Sequence, residues 1–307
     1  MSFTSNVKNE ISKKEINEAN QIEQISELSA IVSNSSQILD TIKISTENAS
    51  VARRIYNLEK NIYKMIPKIT VRKGYNYNKS YIYIIELKYD ISLFLNIVGL
   101  NKNNIPEEYI IDDDNLTRSY LRGLFLSCGS INDPKKSRYH LEFIVQTKEY
   151  AEFISNILNQ YLLNSKYLKR DNRYMVYIKE AEKIGDFLRI INANQAVLYY
   201  EDIRIYRDHK NMTNRLNNCE QANVDKIIET ATNQINEINL IKEKKLFDLL
   251  SEKDKIAADY RIKYPESSLQ ELAEIISIET NSTLTKSGLH HRFNRIKSLA
   301  NKIKNNE

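Results

Sequence analysis

Two stretches of this 307-residue chain repeat the same order of elements. The first opens with the apolar, small-residue segment Leu28 to Ile38, "LSAIVSNSSQI", which predicts a helix. An extended "DTIKIS" follows, then a helix from about Glu47 to Met65, then the strands "KITVRKG" and "SYIYIIEL" joined across "YNYN". The second opens with Leu121 to Ile131, "LRGLFLSCGSI", and continues through the strand "YHLEFIVQ" and a helix from about Lys148 to Leu163. It closes on the hairpin "KYLKRDNRYMVYIKE", with Asp171-Asn172-Arg173 as its turn. Strands follow from period-two alternation and β-branched or aromatic content, helices from apolar spacing near 3.6. Helix–strand–helix–strand–strand, twice, roughly a hundred residues apart, is the mark of internal duplication. It confines the fold to an α+β class in which small side chains let the two leading helices meet closely, with the two sheets flanking a pseudo-two-fold axis.

Beyond the repeats the character changes. Arg204, Arg207, Lys210 and Arg215 crowd a short span. Val224, Ile227, Ile228, Ala231, Ile235, Ile238 and Ile241 then line one face of an amphipathic helix, so residues 201–245 are expected to form a basic connector and helix. From Leu246 onward three helices are predicted. "LFDLLSEKDKIAADYRIKY" ends before Pro265, "SSLQELAEIIS" opens with Ser267 or Ser268 as N-cap, and "TKSGLHHRFNRIKSLANKIK" is the third. The polar "IETNSTL" between the last two is somewhat longer than the shortest helix-turn-helix connection. The expected division is therefore 1–200 (repeats about 20–95 and 115–200), 201–245 and 246–307.

Charge in the last segment is partitioned. Glu266, Glu271, Glu274 and Glu279 are the charged residues from Pro265 to Leu284, whereas Lys286, Arg292, Arg295, Lys297, Lys302 and Lys304 are those from Thr285 to Lys304. Leu289, Phe293, Ile296 and Leu299 give the third helix a core stripe. Its start, with Lys286, Ser287 and Gly288, offers backbone N–H groups to phosphate. Arg292 and Arg295, with His290 and His291, then face a major groove as a recognition helix does. Adjacent histidines point to different sides of a helix and do not chelate as an i, i+4 pair does, which argues against a metal site there.

The net charge of +5 and pI near 8.8 permit a nucleic-acid partner without demanding one. Cys128 and Cys219 lie far apart without a Cys-x-x-Cys pair, which argues against a disulfide framework and suits a reducing cytosol. "MSFTSNVKNEISKKE" lacks the apolar run of a signal peptide, and no stretch has the length to cross a bilayer, so a cytoplasmic protein without membrane partners is expected. No phosphate-binding glycine loop or nucleophile motif appears, so no cofactor is expected. The acidic run "IDDDN" is expected to cap the helix that follows it.

"LRGLFLSCGSIND" resembles a LAGLIDADG motif and its turn, and "LSAIVSNSSQI" resembles a worn first copy. Together with "NRLNNCEQANVDK" (Asn214 to Lys226) and "SLQELAEII…TKSGLHHRFNRIKSLA", in that order over nearly the whole chain, they resemble the WhiA family. The resemblance implies a duplicated LAGLIDADG homing-endonuclease-like domain followed by an all-α helix-turn-helix domain. It further implies a nucleoid-associated, sequence-specific DNA-binding transcription regulator tied to cell division, chromosome segregation or sporulation. In active LAGLIDADG nucleases an acid near the end of each motif helix holds a divalent metal. Those positions fall on Ser35 and Cys128, and neither side chain replaces a carboxylate for a hard cation. The expected reading has no catalytic or metal residues. DNA contacts are assigned to Lys286, Ser287, His290, His291, Arg292 and Arg295, and to Arg204, Arg207, Lys210, Asn214 and Arg215. The hairpin residues Arg72, Lys73, Lys169, Arg170 and Arg173 are further candidates for phosphate. The alternatives are a metal-dependent endonuclease with displaced acids such as Asp133 or Asp114, and an adaptor that docks a regulatory protein through the duplicated domain.

Overall fold

The structure, a computed structural model, describes residues 2–16, 20–34, 36–38, 41–64, 66–73, 81–87, 91–101, 104–136 and 138–305. It comprises two compact units, residues 1–207 and 208–307.

In the first unit α1 (Phe3–Ser12) precedes a repeat made of α2 (Gln21–Val32), β1 (Ser36–Ile38), β2 (Thr41–Thr46), α3 (Ala49–Tyr63), β3 (Lys68–Lys73) and β4 (Tyr81–Leu87). After α4 (Ile91–Ile97) the order recurs as α5 (Asp114–Cys128), β5 (Gly129–Ile131), β6 (Leu141–Val145), α6 (Lys148–Gln160), β7 (Lys166–Arg170) and β8 (Arg173–Ile178), followed by α7 (Ala181–Ile190). The two antiparallel sheets have matching orders, β1-β2-β4-β3 and β5-β6-β8-β7. The duplicated α+β architecture is as expected.

The boundaries of the leading helices are not. α2 stops at Val32, and Ser36–Ile38 pair with β2; α5 stops at Cys128, and Gly129–Ile131 pair with β6. At the second junction Leu126, Cys128 and Ile131 carry apolar content across, so periodicity alone does not see the change from helix to strand; at the first the polar run Ser33 to Gln37 separates Val32 from Ile38 and marks the break. At the second junction Gly129 turns extended, with ψ near 140°, and a Cβ there would meet the Phe125 ring at 2.4 Å. Gly129 thus serves this turn and not the helix–helix contact. The second hairpin is tighter than expected, because Arg173 pairs with Arg170 and the turn narrows to Asp171-Asn172, with Asp171 left-handed. The "YNYN" turn lies outside the described residues. Helices α1, α4 and α7 were not anticipated, although Phe3, Val7 and Ile11 mark a buried face of α1 at four-residue spacing.

The seam between the halves is α2 against α5. Glycine at position 123 is required there, because a Cβ would sit 2.1 Å from the Glu27 carbonyl oxygen. Ser26 donates to the Leu116 carbonyl at 2.7 Å. The buried Glu27 carboxylate receives Arg54 through both its oxygens and Arg122 from the opposite half at 3.2 Å. A carboxylate buried without such partners would be costly; with two guanidiniums it ties the halves in register. α1 also bridges them. The Thr4 hydroxyl donates to and accepts from the Ile131 backbone, satisfying the inner edge of the second sheet. The Glu10 carboxylate accepts the Gln195 and Ala196 N–H groups at the start of α8 (Asn194–Glu243).

In the second unit the last turns of α8 pack with α9 (Glu252–Lys263), α10 (Leu269–Glu279) and α11 (Lys286–Asn305). The expected connector is thus part of one 50-residue helix. Of its predicted apolar face Ala231, Ile238 and Ile241 are buried, whereas Val224 and Ile228 are about half exposed. α9 begins at Glu252, later than expected, because Ser251 caps it by accepting from the Asp254 N–H. α10 opens on a capping box between Ser268 and Glu271. The buried Arg261 guanidinium joins the bundle: Nε donates to Gln234 at 2.9 Å, Nη1 to the Ser267 carbonyl at 2.6 Å, and the group lies 5.5 Å from the Phe293 ring centre. Among the described residues no helix is long and apolar enough to cross a membrane.

Candidate nucleic-acid interface

α11 buries Leu289, Phe293, Ile296 and Ala300, a stripe at helical spacing. At 100° per residue Ser287, His291 and Asn294 fall on the side away from that stripe, within about 50° of the point opposite it, and His290 lies beside them on the flank, about a quarter-turn from that point; all four are exposed. Three hydrogen-bonding side chains therefore project away from the core, beginning at the first turn, and His290 extends the same exposed surface along one flank. Thr285 caps that turn by accepting the Gly288 N–H at 3.1 Å, and exposed Lys286 adds positive charge beside it. The loop before it is held by Ser277, whose hydroxyl accepts from the Leu284 N–H at 3.0 Å and donates to the Ala273 carbonyl at 2.7 Å.

Arg292 and Arg295 occupy a flank of α11 that faces α9. Arg295 grips the Asp254 carboxylate through two nitrogens, the shortest contact being 2.6 Å, and Arg292 donates to the Lys253 carbonyl at 3.2 Å. Burial raises the Asp254 pKa, but hydrogen bonds from Arg295 and Ser251 outweigh it and hold the carboxyl below its usual range. These two arginines hold α11 against α9, a use the charge count did not reveal. Asn294 carries no charge and so falls outside the charge partition, although its place away from the apolar stripe is legible from spacing. On α10, Glu279 accepts from Tyr260 and Tyr264 and pairs with Lys263, so the acidic residue closest to the turn is neutralised locally.

The basic residues of the connector separate similarly. Lys210, Asn214 and Arg215 are exposed on α8. Arg204 pairs with Glu201 at 2.6 Å, and Arg207 donates to the Pro134 and Lys136 carbonyls while lying 4.5 Å from the Tyr139 ring centre. Both serve the first unit.

Strand alternation sorts the hairpin cations. In the second sheet Phe143, Val176 and Tyr167 share the helix-covered face, with the Tyr167 hydroxyl donating to Glu152 of α6. The open face therefore carries Lys166, Arg170, Arg173 and Tyr177, and Lys169 falls on the helix side. In the first sheet the open face carries Lys43, Lys68 and Arg72, with Lys43 and Lys68 flanking Glu86 at 3.4 and 3.8 Å, whereas Lys73 falls on the helix side.

At the motif position the Cys128 thiol donates to the Leu124 carbonyl at 3.5 Å, and burial pushes it up to about 12. Its electrostatic neighbour is Lys8, whose amine lies 5.7 Å from the Phe125 ring centre and is pulled down by burial to about 8. A neutral thiol beside an amine does not fit a hard divalent cation. Ser35 lies outside the described residues. Asp133 accepts the Lys135 N–H, Asp113 caps α5 through the Leu116 N–H, and Asp114 pairs with Arg118 and receives the Tyr161 hydroxyl. Among the described residues no three His, Cys, Asp or Glu side chains converge.

Three family models match in chain order: the WhiA N-terminal LAGLIDADG-like domain over residues 21–101, the WhiA LAGLIDADG-like domain over 117–210 and the WhiA C-terminal HTH domain over 213–300. The probable cell division proteins WhiA of Staphylococcus epidermidis and Staphylococcus haemolyticus are each 41% identical over 314 residues, covering 100% of this chain and 99% of theirs. The full-length DUF199/WhiA of Thermatoga maritima aligns in structure over 98% of this chain and 99% of its own, with 26% identity and a TM-score of 0.58. Three domain matches in order and a full-length relative converge on one conclusion: the chain belongs to the WhiA family.

Proposed function

We propose that this protein is a sequence-specific DNA-binding transcription regulator acting in cell division, cytoplasmic and associated with the nucleoid, and that it does not cleave DNA. The observation that carries the reading is the face of α11 opposite its core. Ser287, His290, His291 and Asn294 form a continuous hydrogen-bonding surface at the N-terminal end of a helix whose rear is fully packed. Such a surface suits base edges in a major groove. Lys286, with Lys210 and Arg215 on α8, supplies phosphate contacts, which set affinity and register without sequence information. Arg292 and Arg295 act as positioning residues through Lys253 and Asp254. The thiol–amine pair at the motif position supports a domain that binds without hydrolysis.

The test is a fluorescence-anisotropy titration against duplexes selected by the protein from random sequence. His290→Ala and Asn294→Ala are each expected to lose about 1–3 kcal/mol on the selected site and little on scrambled DNA. Lys286→Ala is expected to weaken both and to reduce the salt slope by about one. Equal affinity of wild type and both base-face variants on the selected site would refute the assignment. Nicking of supercoiled plasmid that requires Mg²⁺ or Mn²⁺ would refute the absence of cleavage.

The open sheet faces favour a second role, docking of a regulatory protein. Ile144, Leu168, Met175 and Tyr177 stand among the cations of the second sheet, a mixture suited to a protein surface as well as to phosphate. Removal of residues from about Leu246 onward separates the roles, because sequence recognition is then lost while protein docking is retained.

A further inference from the structure

A cleft of about 580 Å³ opens between the end of α1 and the outer face of α3. This is within the range of small-molecule sites. Its walls carry Lys13 and Lys14 on one side and Arg53 and Lys60 on the other, against the single carboxylate of Glu15. Arg54 also lines it, but its guanidinium is engaged by Glu27 and donates to the Lys14 carbonyl at 2.8 Å. That bond fixes the segment after α1 to α3, so the two walls are built and not a chance juxtaposition of surface side chains.

Several independent features mark the cleft as an anion site. Among the described residues no carboxylate pairs with Lys13, Arg53 or Lys60. The Ser12 hydroxyl lines the cleft, and its oxygen is buried without a hydrogen-bond partner among the described residues. Burial, and then the charges of Arg122 and Arg54, hold the Lys14 ammonium below the ordinary lysine range, a crowding of cations that a bound anion relieves. Arg53 and Lys60 stand two turns apart, about 10 Å along α3 at 1.5 Å per residue, which suits a short row of phosphates. The internal duplicate provides the contrast. The matching helix α6 carries one lysine, Lys148, already paired with Glu152, beside Glu149.

The cleft is also distinct from the open sheet face. α3 turns Val51, Ile55, Leu58 and Ile62 into the core beneath the first sheet and presents Arg53 and Lys60 on its other side. A concave cluster of cations on two facing walls fits a compact ligand better than the continuous backbone of a duplex, which needs charge strung along an extended surface.

We propose that this cleft binds a compact polyphosphate, the tri- or tetraphosphate group of a small nucleotide-like ligand, at a site separate from the DNA-contacting surfaces. The experiment is calorimetric titration of the full chain with inorganic tripolyphosphate and with a nucleoside triphosphate at physiological salt. Saturable binding of one equivalent is expected. Arg53→Gln with Lys60→Gln is expected to weaken it by about tenfold or more, the loss associated with one charge-assisted contact. Lys13→Gln, on the opposite wall, is expected to weaken it too. Lys148→Gln, on the duplicate helix, is expected to leave it unchanged. Both substituted α3 residues are solvent-facing, so the thermal transition of the double variant should match wild type, and its affinity for duplex DNA should be unaltered. Absence of saturable heat, or an equal loss in the Lys148 control, overturns the proposal. So does a double variant that loses duplex affinity while tripolyphosphate fails to bind wild type, since the cations would then serve a DNA backbone.

Discussion

Gly123→Ala is the most direct test of the seam. A Cβ at this position would stand 2.1 Å from the Glu27 carbonyl oxygen, 2.9 Å from its carbon and 3.1 Å from the Ala30 Cβ, where ordinary contact begins near 3.4 Å. The nearest atoms belong to backbone, so no side-chain rotation relieves the clash, and α2 and α5 must part by roughly 1 Å. Separation strains the Ser26–Leu116 hydrogen bond and the Arg122–Glu27 contact across the same interface. Overpacking of this kind costs about 1–3 kcal/mol, and a weakened buried hydrogen bond adds about 1 kcal/mol. The better helix propensity of alanine returns up to about 1 kcal/mol. The net expectation is about 1–3 kcal/mol, or roughly 5- to 150-fold in the opening equilibrium. Hydrogen–deuterium exchange resolved by peptide reads this directly. Protection of α2 and α5 should fall by that factor, and protection of α10 and α11 should be unchanged. A loss below about 0.5 kcal/mol in the seam helices, or an equal loss in both units, would refute the reasoning.

Three further outcomes are expected. Glu59 is fully buried with neither carboxylate oxygen partnered among the described residues, and burial raises it to about 9. With a folded pKa above the unfolded value, its penalty is absent below pH 4.5, grows as pH rises and levels off above about 9. Glu59→Met should therefore stabilise the first unit at pH 7, by at most about 3 kcal/mol, and lose that advantage toward pH 4.5 in urea titrations; an advantage that does not change with pH would contradict it. Exposed Cys219 should react with a thiol reagent at pH 8 while Cys128, pushed up by burial, waits for unfolding; two equally fast thiols would contradict this. Arg261→Ala leaves Gln234 and the Ser267 carbonyl without their donor, and should cost the second unit about 3 kcal/mol in exchange protection without affecting α2 and α5; retained protection in α9 and α11 would show the guanidinium to be dispensable.

Much of this protein was legible along the chain, because periodicity is a local property. Alternation in "YHLEFIVQ", the helical stripe Leu289–Phe293–Ile296 and the recurrence of one element order arise from residues close in sequence, and they announced the strands, the third bundle helix and the duplication. The resemblance of "LRGLFLSCGSIND" to a LAGLIDADG motif placed the motif position at Cys128. What it could not reach was pairing. Whether an arginine reads DNA or braces a neighbouring helix depends on what lies across from it, and Asp254, 41 residues from Arg295, is invisible to any window of spacing. The same holds for Arg207 over Tyr139 and for Lys8 beside Cys128. The helix-to-strand change at Cys128 was likewise hidden, since an apolar residue satisfies a helix face and a sheet face equally and only its partner strand decides. The basic cleft beside α3 belongs to this second class: Lys13 and Arg53 are ordinary surface cations until the Arg54 bond to the Lys14 carbonyl brings their segments together. Sequence determined which elements form and in what order, and the tertiary contacts decided which charges remain free to act.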